Sequence, residues 1–257
     1  MGNIYGFTNE NITSFSSLYD FDKAKVLSVL GSGDQYFASI LYGALDVELY
    51  DVNERAWDFF LLKYYGISYF DYDHFFDFFV TKELNGRKSF DYLLGYLPEN
   101  ISNSLLSLYK TYSGLSECLT PDIANICYDD GHIIPYFDKK EYYRLQAMLR
   151  DRKLPKFYLE DFINLPSKLS NSHYDIVLAS NIFYWLYVDE EEEKVFEYKE
   201  LLEKFDCSVV QALYSWSLPA SLERKFLDNG FDIEVVTSAK RFQLYDDKVV
   251  SFRKVKK

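Results

Sequence analysis

The chain has 257 residues, of which 48% are hydrophobic and 19% aromatic, and its formal net charge is −12. This length accommodates one large α/β domain or one domain with an inserted subdomain, and the hydrophobic fraction supplies a substantial core. The acidic balance disfavours a general nucleic-acid binder, because contacts to phosphates need a basic surface.

Cysteine and histidine usage disfavours disulfides and metal binding. No CxxC pair and no metal-ligand spacing is present among Cys118, Cys127, Cys207, His74, His132 and His173. The N-terminus lacks the pattern of a signal peptide, and no apolar run approaches the roughly 20 residues of a membrane span. These features predict a cytoplasmic protein without a metal or a transmembrane segment.

Residues 1–25 are polar and aromatic and predict one short helix. The stretch TNEN, which begins at Thr8, supplies capping side chains for a helix that starts near Ile12.

Residues 26–51 predict a strand, a glycine turn, a helix and a second strand. The apolar run VLSVL is typical of a buried parallel strand, and it leads into the glycine turn of residues 31–33. Glycines suit a turn where the backbone must approach a ligand closely. The second strand ends at Asp51, near the roughly 20-residue offset at which an acid reaches ribose hydroxyls in nucleotide-binding βαβ units. The alternative is an ordinary turn with Asp51 as a helix cap.

The turn lacks the third glycine of the pyrophosphate-binding fingerprint, because Tyr36 occupies that place. In dinucleotide-binding proteins, this glycine allows close packing of helix and strand. A nucleoside without phosphates, such as S-adenosylmethionine (SAM), therefore suits the turn better than a dinucleotide.

Three segments carry a resemblance to a known family: LGSGDQ, DVELYDVN and FFLLKYYGI. They resemble the turn, the acid strand and the following Leu-x-Lys helix of a family of SAM-dependent transferases. That family includes the betaine-lipid synthases, which move the 3-amino-3-carboxypropyl group of SAM onto diacylglycerol, and many small bacterial members. One departure is the pair Leu30 and Gly31, where two small residues are expected.

The resemblance implies a class I methyltransferase fold. This fold is α/β and Rossmann-like, with a mainly parallel seven-stranded sheet, helices on both faces and, here, a helical insertion after the second strand. The expected parts are a cofactor-covering segment (1–25), a SAM-binding domain (26–65 and 151–257) and an aromatic-rich lid or substrate region (66–150).

The same resemblance implies SAM as the cofactor. A polar residue after the third strand is expected to bind the adenine amino group, with Asp161 as the first candidate and Glu160 as the second; a helix cap is the alternative for Asp161. The segment before the first strand is expected to contact the cofactor through Thr8 or Glu10, and a capping turn in solvent is the alternative. The full set of expected cofactor contacts is Thr8, Gly31, Ser32, Gly33, Asp34, Gln35, Asp51, Val52, Asn53, Glu160, Asp161, Ser180 and Asn181.

The stretch between the second and third strands predicts helices over about 72–83, 89–111 and 138–151, with a loop from Pro121 to Pro135. An insertion of this length with structure of its own is more often functional than disordered. The aromatic-rich residues 57–79 are typical of core, and part of them can line a pocket for an apolar or aromatic substrate.

Two features of the insertion have both a functional and a structural interpretation. His132 lies in the polar turn CYDDGH and is either an acid–base residue or a structural loop residue. Residues 139–156 concentrate lysine and arginine in an otherwise acidic protein. They form either a solvated helix face or a contact to an anionic substrate or a membrane head group.

Further strands are predicted at 157–159, 174–180, 207–213, 231–236 and 248–255. Ligands of open α/β sheets bind outside the carboxyl ends of strands, and Ser180 and Asn181 follow the fourth strand. Asn181 and Tyr184 are therefore candidate catalytic residues, together with His132. Isoleucine and phenylalanine replace the two prolines found in amino-methylating DNA enzymes, which disfavours base methylation.

The predicted function is transfer of a methyl group from SAM to a small-molecule or lipid-like acceptor. Nucleic acid is disfavoured as a partner, and a peripheral contact to a membrane is compatible with the sequence. Two alternatives stay open. One is 3-amino-3-carboxypropyl transfer, which releases methylthioadenosine and which the resemblance favours. The other is a methyltransferase-like domain that binds a nucleoside or a protein partner without catalysis.

Overall fold

The computed structural model describes residues 6–81, 86–111, 133–187, 194–236 and 247–254. The chain divides into two compact units. The sheet unit comprises Glu10–Val29, Tyr42–Val52 and Pro155–Lys257, and the helical unit comprises Met1–Asn9, Leu30–Leu41 and Asn53–Leu154.

The strands all belong to the sheet unit. They are β1 (Lys25–Val29), β2 (Asp46–Asp51), β3 (Phe157–Leu159), β4 (Tyr174–Leu178), β5 (Cys207–Ser215), β6 (Asp232–Val236) and β7 (Asp247–Arg253). They form one sheet in the order β3-β2-β1-β4-β5-β7-β6. Strands β1 to β5 are parallel, whereas β7 is antiparallel to both of its neighbours. This seven-stranded α/β sheet confirms the predicted Rossmann-like, class I methyltransferase fold.

The α-helices of the described residues occur in both units. In chain order they are α1 (Ile12–Phe15), α2 (Asp34–Leu41), α3 (Glu54–Tyr69), α4 (Tyr72–Phe76), α5 (Gly86–Leu94), α6 (Glu99–Thr111), α7 (Lys139–Leu149), α8 (Leu165–Lys168), α9 (Ile182–Tyr187), α10 (Val195–Glu203) and α11 (Ala220–Asp228). A π-helical segment, Asp77–Thr81, follows α4 directly.

The sheet unit buries its apolar strand residues against helices α9, α10 and α11. Val177 of β4 and Val210 of β5 belong to one buried cluster with Phe183, Tyr198 and Phe226 of these helices. The burial of such side chains is the main favourable contribution to folding. The parallel strands are therefore fixed in position, and with them the edge at which their carboxyl ends meet.

The core of the helical unit is aromatic. Phe37 of α2 stacks on Phe60 of α3, with ring centroids 5.5 Å apart, and Tyr36 meets the same ring edge-on at 5.1 Å. Tyr136 packs edge-on against Phe37 at 5.6 Å. Aromatic pairs in these geometries contribute roughly 0.5–1.5 kcal/mol each beyond the area that they bury. The phenylalanines of the aromatic-rich residues 57–79 are likewise buried, so this stretch supplies mainly core, as its pattern predicts.

One helix prediction in the insertion is wrong in extent. The helix expected over 89–111 is two helices, α5 and α6, because Gly95 and Pro98 fall between them and both residues disfavour helix continuation. The helix expected over about 72–83 is α-helical as far as Phe76 and π-helical from Asp77 to Thr81, and its last two residues lie outside the described part of the chain. The greater part of the loop expected from Pro121 to Pro135 lies outside the described residues.

In the described part of the chain, no helix combines the length and the apolar character needed to cross a membrane.

Gly66 of α3 tests the packing of the helical unit. A Cβ atom at this position would lie 2.7 Å from Cε2 of Phe79, whose side chain is fully buried. Overpacking of this kind costs about 1–3 kcal/mol, so we expect Gly66→Ala to lower the free energy of unfolding in urea by that amount. Without the clash, alanine in a helix would stabilise by about 1 kcal/mol, so a gain would contradict the packing. The control is the same substitution in a protein that carries Phe79→Leu. Gly66→Ala should cost less stability in that background than in the wild-type protein, because the clashing ring is absent.

Candidate functional site

The glycine turn that follows β1 has a backbone conformation that requires glycine. The φ angles of Gly31 and Gly33 are +47° and +82°, in the left-handed region. A Cβ atom at Gly33 would lie 2.8 Å from Cδ2 of Phe60, whereas one at Gly31 would meet nothing within 4 Å. Gly33 therefore permits close packing inside the helical unit, and Gly31 is the position where a ligand has room beside the backbone.

Asp34, the first residue of α2, is the centre of a buried polar cluster in the helical unit. Its Oδ1 lies 2.7 Å from Nζ of Lys63, and both side chains are completely shielded from solvent. The hydroxyl of Tyr136 also donates to Oδ1. Oδ2 accepts hydrogen bonds from the Thr8 N–H at 2.6 Å and from Oγ of Ser32 at 2.7 Å. Four donors thus satisfy one buried carboxylate.

Lys63 connects this cluster to the glycine turn. Its ammonium donates a second hydrogen bond, of 2.7 Å, to the carbonyl oxygen of Ser32. The ring of Phe7 lies 4.2 Å from the same nitrogen, in cation–π geometry. Lys63 therefore fixes the orientation of the peptide between the two glycines.

Several expected cofactor contacts are engaged with the protein itself. The side chains of Ser32, Asp34 and Gln35 are buried, and the Thr8 N–H is bonded to Asp34. Asn53 caps α3 by accepting a hydrogen bond from the N–H of Arg55 at 3.1 Å. In the turn itself, the backbone at Gly31 has open space beside it.

In the sheet unit, the carboxyl ends of β2 and β3 are adjacent. Asp51 is paired with Leu159 in register, and its carbonyl oxygen accepts a hydrogen bond from the N–H of Glu160 at 2.9 Å. Asp51 is half-buried, and Val52 is exposed. The structure therefore brings Asp51, Val52 and Glu160 together at one edge of the sheet.

The two adenine candidates after β3 also have local structural roles. Glu160 accepts hydrogen bonds from Lys168 and, at 2.9 Å, from Asn164, and these bonds hold the pKa of its carboxyl below the ordinary value. Asp161 is exposed and accepts a hydrogen bond from the N–H of Ile163 at 3.1 Å. Asp161 thus closes the turn before α8, and it is not the cap of that helix, whose N-cap residue is Asn164.

Ser180, just beyond β4, has a strained backbone. Its φ angle is +54°, which is unusual for a residue other than glycine. Its hydroxyl donates to the carboxylate of Glu10, which is buried, and its carbonyl accepts from the N–H of Tyr214 at 2.9 Å. Such strain costs about 1–3 kcal/mol and concentrates at functional sites.

The candidate catalytic residues have different surroundings. Asn181 is exposed, and the hydroxyl of Tyr184 lies 2.9 Å from Oγ of Ser215. Tyr214 accepts a hydrogen bond from the N–H of Asn11 at 2.9 Å, and burial raises the pKa of its phenol well above the ordinary value. Tyr214 therefore stays protonated at neutral pH and serves as a hydrogen-bonding group. His132 lies outside the described residues.

Several carboxylates lie at the carboxyl edge of the sheet unit. Asp51 ends β2, and Glu160 and Asp161 follow β3 directly. Glu10 accepts a hydrogen bond from Ser180, which lies just beyond β4. An acidic edge of this kind favours a cationic ligand over a phosphate-bearing one. Across the residues that the structure describes, no group of three His, Cys, Asp or Glu is arranged to hold a metal.

Sequence reasoning did not assign Lys63 and Tyr136 to the site. Lys63 did carry a signal, because it is the only lysine in the aromatic sequence of α3, and a lysine among apolar residues needs a buried acid as its partner. Tyr136 carried none, because it is separated from Asp34 by most of the insertion.

Comparisons with protein families and with curated proteins find no match. Solved structures show low similarity. A structure assigned as a methyltransferase, complexed with SAH, has a TM-score of 0.40 and 9% identity, covering 91% of this chain and 46% of its own. A structure from Streptococcus mutans, assigned as a SAM-dependent methyltransferase, has a TM-score of 0.40 and 9% identity, covering 90% of this chain and 45% of its own. The rRNA methyltransferase aviRa from Streptomyces viridochromogenes has a TM-score of 0.41 and 12% identity, covering 90% of this chain and 77% of its own.

This chain thus spans about half the length of the first two of these proteins.

The buried ion pair predicts unequal effects of two lysine substitutions. Lys63→Met leaves the Asp34 carboxylate buried without a cation, so we expect a loss of about 3–5 kcal/mol in the free energy of unfolding. The control is Lys139→Met, which removes an exposed pair with Asp73 and should cost less than about 1 kcal/mol. Urea denaturation of both variants measures the difference. Equal losses would contradict the role assigned to Lys63.

Proposed function

We propose that the protein binds SAM and transfers its methyl group to a small-molecule or lipid-like acceptor. The observation that carries this proposal is the β1–turn–α2–β2 unit. Here, a buried parallel strand leads into a turn with two positive-φ glycines, and the neighbouring strand ends in the half-buried Asp51. This combination is typical of α/β proteins that bind a nucleoside.

The residues fit such a ligand in three respects. Gly31 leaves open space where a side chain would otherwise lie, so a ligand has room to approach the backbone. Asp51 stands at the end of its strand with part of its surface exposed, as an acceptor for ribose hydroxyls must. The acids of the sheet edge suit a ligand that carries a sulfonium and an ammonium group and no phosphate.

Each element has a proposed role of its own. The backbone at Gly31 contacts the ligand closely, Asp51 accepts hydrogen bonds from the ribose, and Asp161, or in its place Glu160, accepts one from the adenine amino group. Val52 and Ser180 complete the contacts at the sheet edge. Thr8, Ser32, Asp34, Gln35 and Asn53 hold the local backbone in place, since each of them forms a hydrogen bond within the protein.

SAM supplies carbons that its sulfonium already activates, so the protein need mainly hold the acceptor in line with one of them. Asn181 is exposed at the carboxyl edge, and we propose that it orients the acceptor together with the Tyr184 hydroxyl. If the acceptor must lose a proton to react, a general base increases the rate of transfer. His132 is a candidate for that base.

Two further points belong to the same proposal. Transfer of the 3-amino-3-carboxypropyl group uses the same cofactor contacts, and its support is the resemblance of the LGSGDQ, DVELYDVN and FFLLKYYGI segments. A cytoplasmic protein acting on a small or lipid-like acceptor agrees with the net charge of −12, which disfavours nucleic acid.

Asp51→Ala tests cofactor binding. The substitution removes a hydrogen-bonded carboxylate, so we expect the affinity for SAM in isothermal titration calorimetry to fall by about 1–3 kcal/mol. The matched control is Asp46→Ala, which removes an exposed acid from the opposite end of the same strand and should leave the affinity unchanged. Equal affinities for SAM in the two variants would remove Asp51 from the site.

Mass spectrometry identifies the transferred group. Purified protein is incubated with SAM and an extract of its host, and the nucleoside products are measured. We expect S-adenosylhomocysteine, which forms when the methyl carbon is attacked. Methylthioadenosine in its place would establish aminocarboxypropyl transfer, with lipids as the first acceptors to test. The absence of both products, together with no calorimetric binding of SAM, would contradict the proposed activity and favour a non-catalytic role.

A further inference from the structure

The helical unit contains a half-open cavity of about 720 Å³ that lies within this unit alone. It is bordered by the last turns of α3 and by α7 with the residues that follow it. Its volume falls within the range of about 300–1,000 Å³ that is usual for small-molecule sites. The residues that decide its chemistry are Tyr64, Tyr65, Tyr69, Phe70, Arg150 and Arg152.

Internal hydrogen bonds hold the walls of the cavity in place. The hydroxyl of Tyr64 donates to the carbonyl oxygen of Arg152 at 2.9 Å and so connects α3 to the segment after α7. Nε2 of Gln146 donates to the carbonyl oxygens of Ile67 and Phe70 at 2.7 and 2.6 Å. The cavity is therefore largely pre-formed, which lowers the cost of ordering the protein around a ligand.

Aromatic faces line one part of the cavity. The rings of Tyr65 and Tyr69 are nearly parallel, with an interplanar angle of 15°, and Tyr69 is 44% exposed. Tyr69 also stacks on Tyr96, with ring centroids 5.1 Å apart, so these tyrosines form a row of rings. The exposed ring surface of such a row is flat and apolar, and a planar ligand can pack against it. This part of the cavity favours an aromatic ligand.

Two arginines give the cavity a positive charge that the protein as a whole lacks. Arg150 is exposed and Arg152 half-buried, and one acid, Asp71, also lines the cavity. Asp71 uses Oδ1 to cap α4, by accepting a hydrogen bond from the N–H of His74 at 2.8 Å. Guanidinium groups pair with carboxylates and phosphates in a fixed geometry and also stack on rings. An anion is otherwise repelled by a net charge of −12.

We infer that this cavity binds a planar aromatic ligand that carries a carboxylate or a phosphate. The tyrosine rings stack on the aromatic part, and Arg150 and Arg152 pair with the anionic group. This site does not depend on the proposed transferase activity, because none of the residues that line it is a proposed cofactor contact.

The test is calorimetry without SAM, using 1-naphthoate and its neutral analogue 1-naphthalenemethanol. We expect the wild-type protein to bind naphthoate more tightly than the alcohol. Arg150→Gln should weaken naphthoate binding about tenfold, the usual effect of losing a charge-assisted hydrogen bond, and leave binding of the alcohol unchanged. Tyr69→Leu should weaken both ligands. Both side chains are exposed, so circular dichroism should show an intact fold.

The matched control is Lys153→Gln, which removes an exposed positive charge close to the cavity but not in its lining. It should leave naphthoate binding unchanged. A third probe, adenosine 5′-monophosphate, distinguishes the two anions: binding that depends on Arg150 assigns the site to nucleotides, and its absence assigns it to aromatic carboxylates. Equal affinity for naphthoate and the alcohol, no effect of Arg150→Gln, or no binding of any probe would each overturn the inference.

Discussion

The ion pair between Lys63 and Asp34 is the constraint on which the local structure of the glycine turn depends. Both side chains are fully shielded, and removing two charges from water costs several kcal/mol per ion. Direct hydrogen bonds offset this cost, because Asp34 accepts from Thr8, Ser32 and Tyr136 in addition to the lysine. The donors come from different parts of the helical unit, so the conformation of the turn depends on the packing of that unit.

A buried pair of this kind adds little net stability, since well-packed apolar side chains in its place often stabilise a protein as much or more. What it provides here is a defined geometry. The ammonium bonds to the Ser32 carbonyl as well as to Asp34, so the peptide that joins Ser32 to Gly33 has one orientation in which the polar groups of this cluster are satisfied. We interpret the pair as the means by which α3 sets the turn that the proposed cofactor contacts.

The sequence predicted the sheet well because its signals are local. Buried parallel strands are short apolar runs, and Gly31, Gly33 and Asp51 stand at fixed places beside them. The missed features depend on long-range contacts or on competing local preferences. Tyr136 reaches Asp34 across the insertion, and helical periodicity did not show that Gly95 and Pro98 divide one predicted helix into two. The buried state of Asp34 was equally hidden, because burial is a property of the packed chain.

The two proposed sites follow opposite electrostatic rules. The carboxyl edge of the sheet unit presents Asp51, Asp161 and Glu160, and Glu160 forms an ion pair with Lys168. A cationic nucleoside gains from such an edge, whereas a nucleic acid would bring a row of phosphates to it and lose the counterion release that normally drives its binding. The cavity of the helical unit has arginines where the sheet edge has acids. In a protein of net charge −12, concentrating arginine at one cavity has a clear physical consequence: it creates a local site for an anion that the rest of the surface repels.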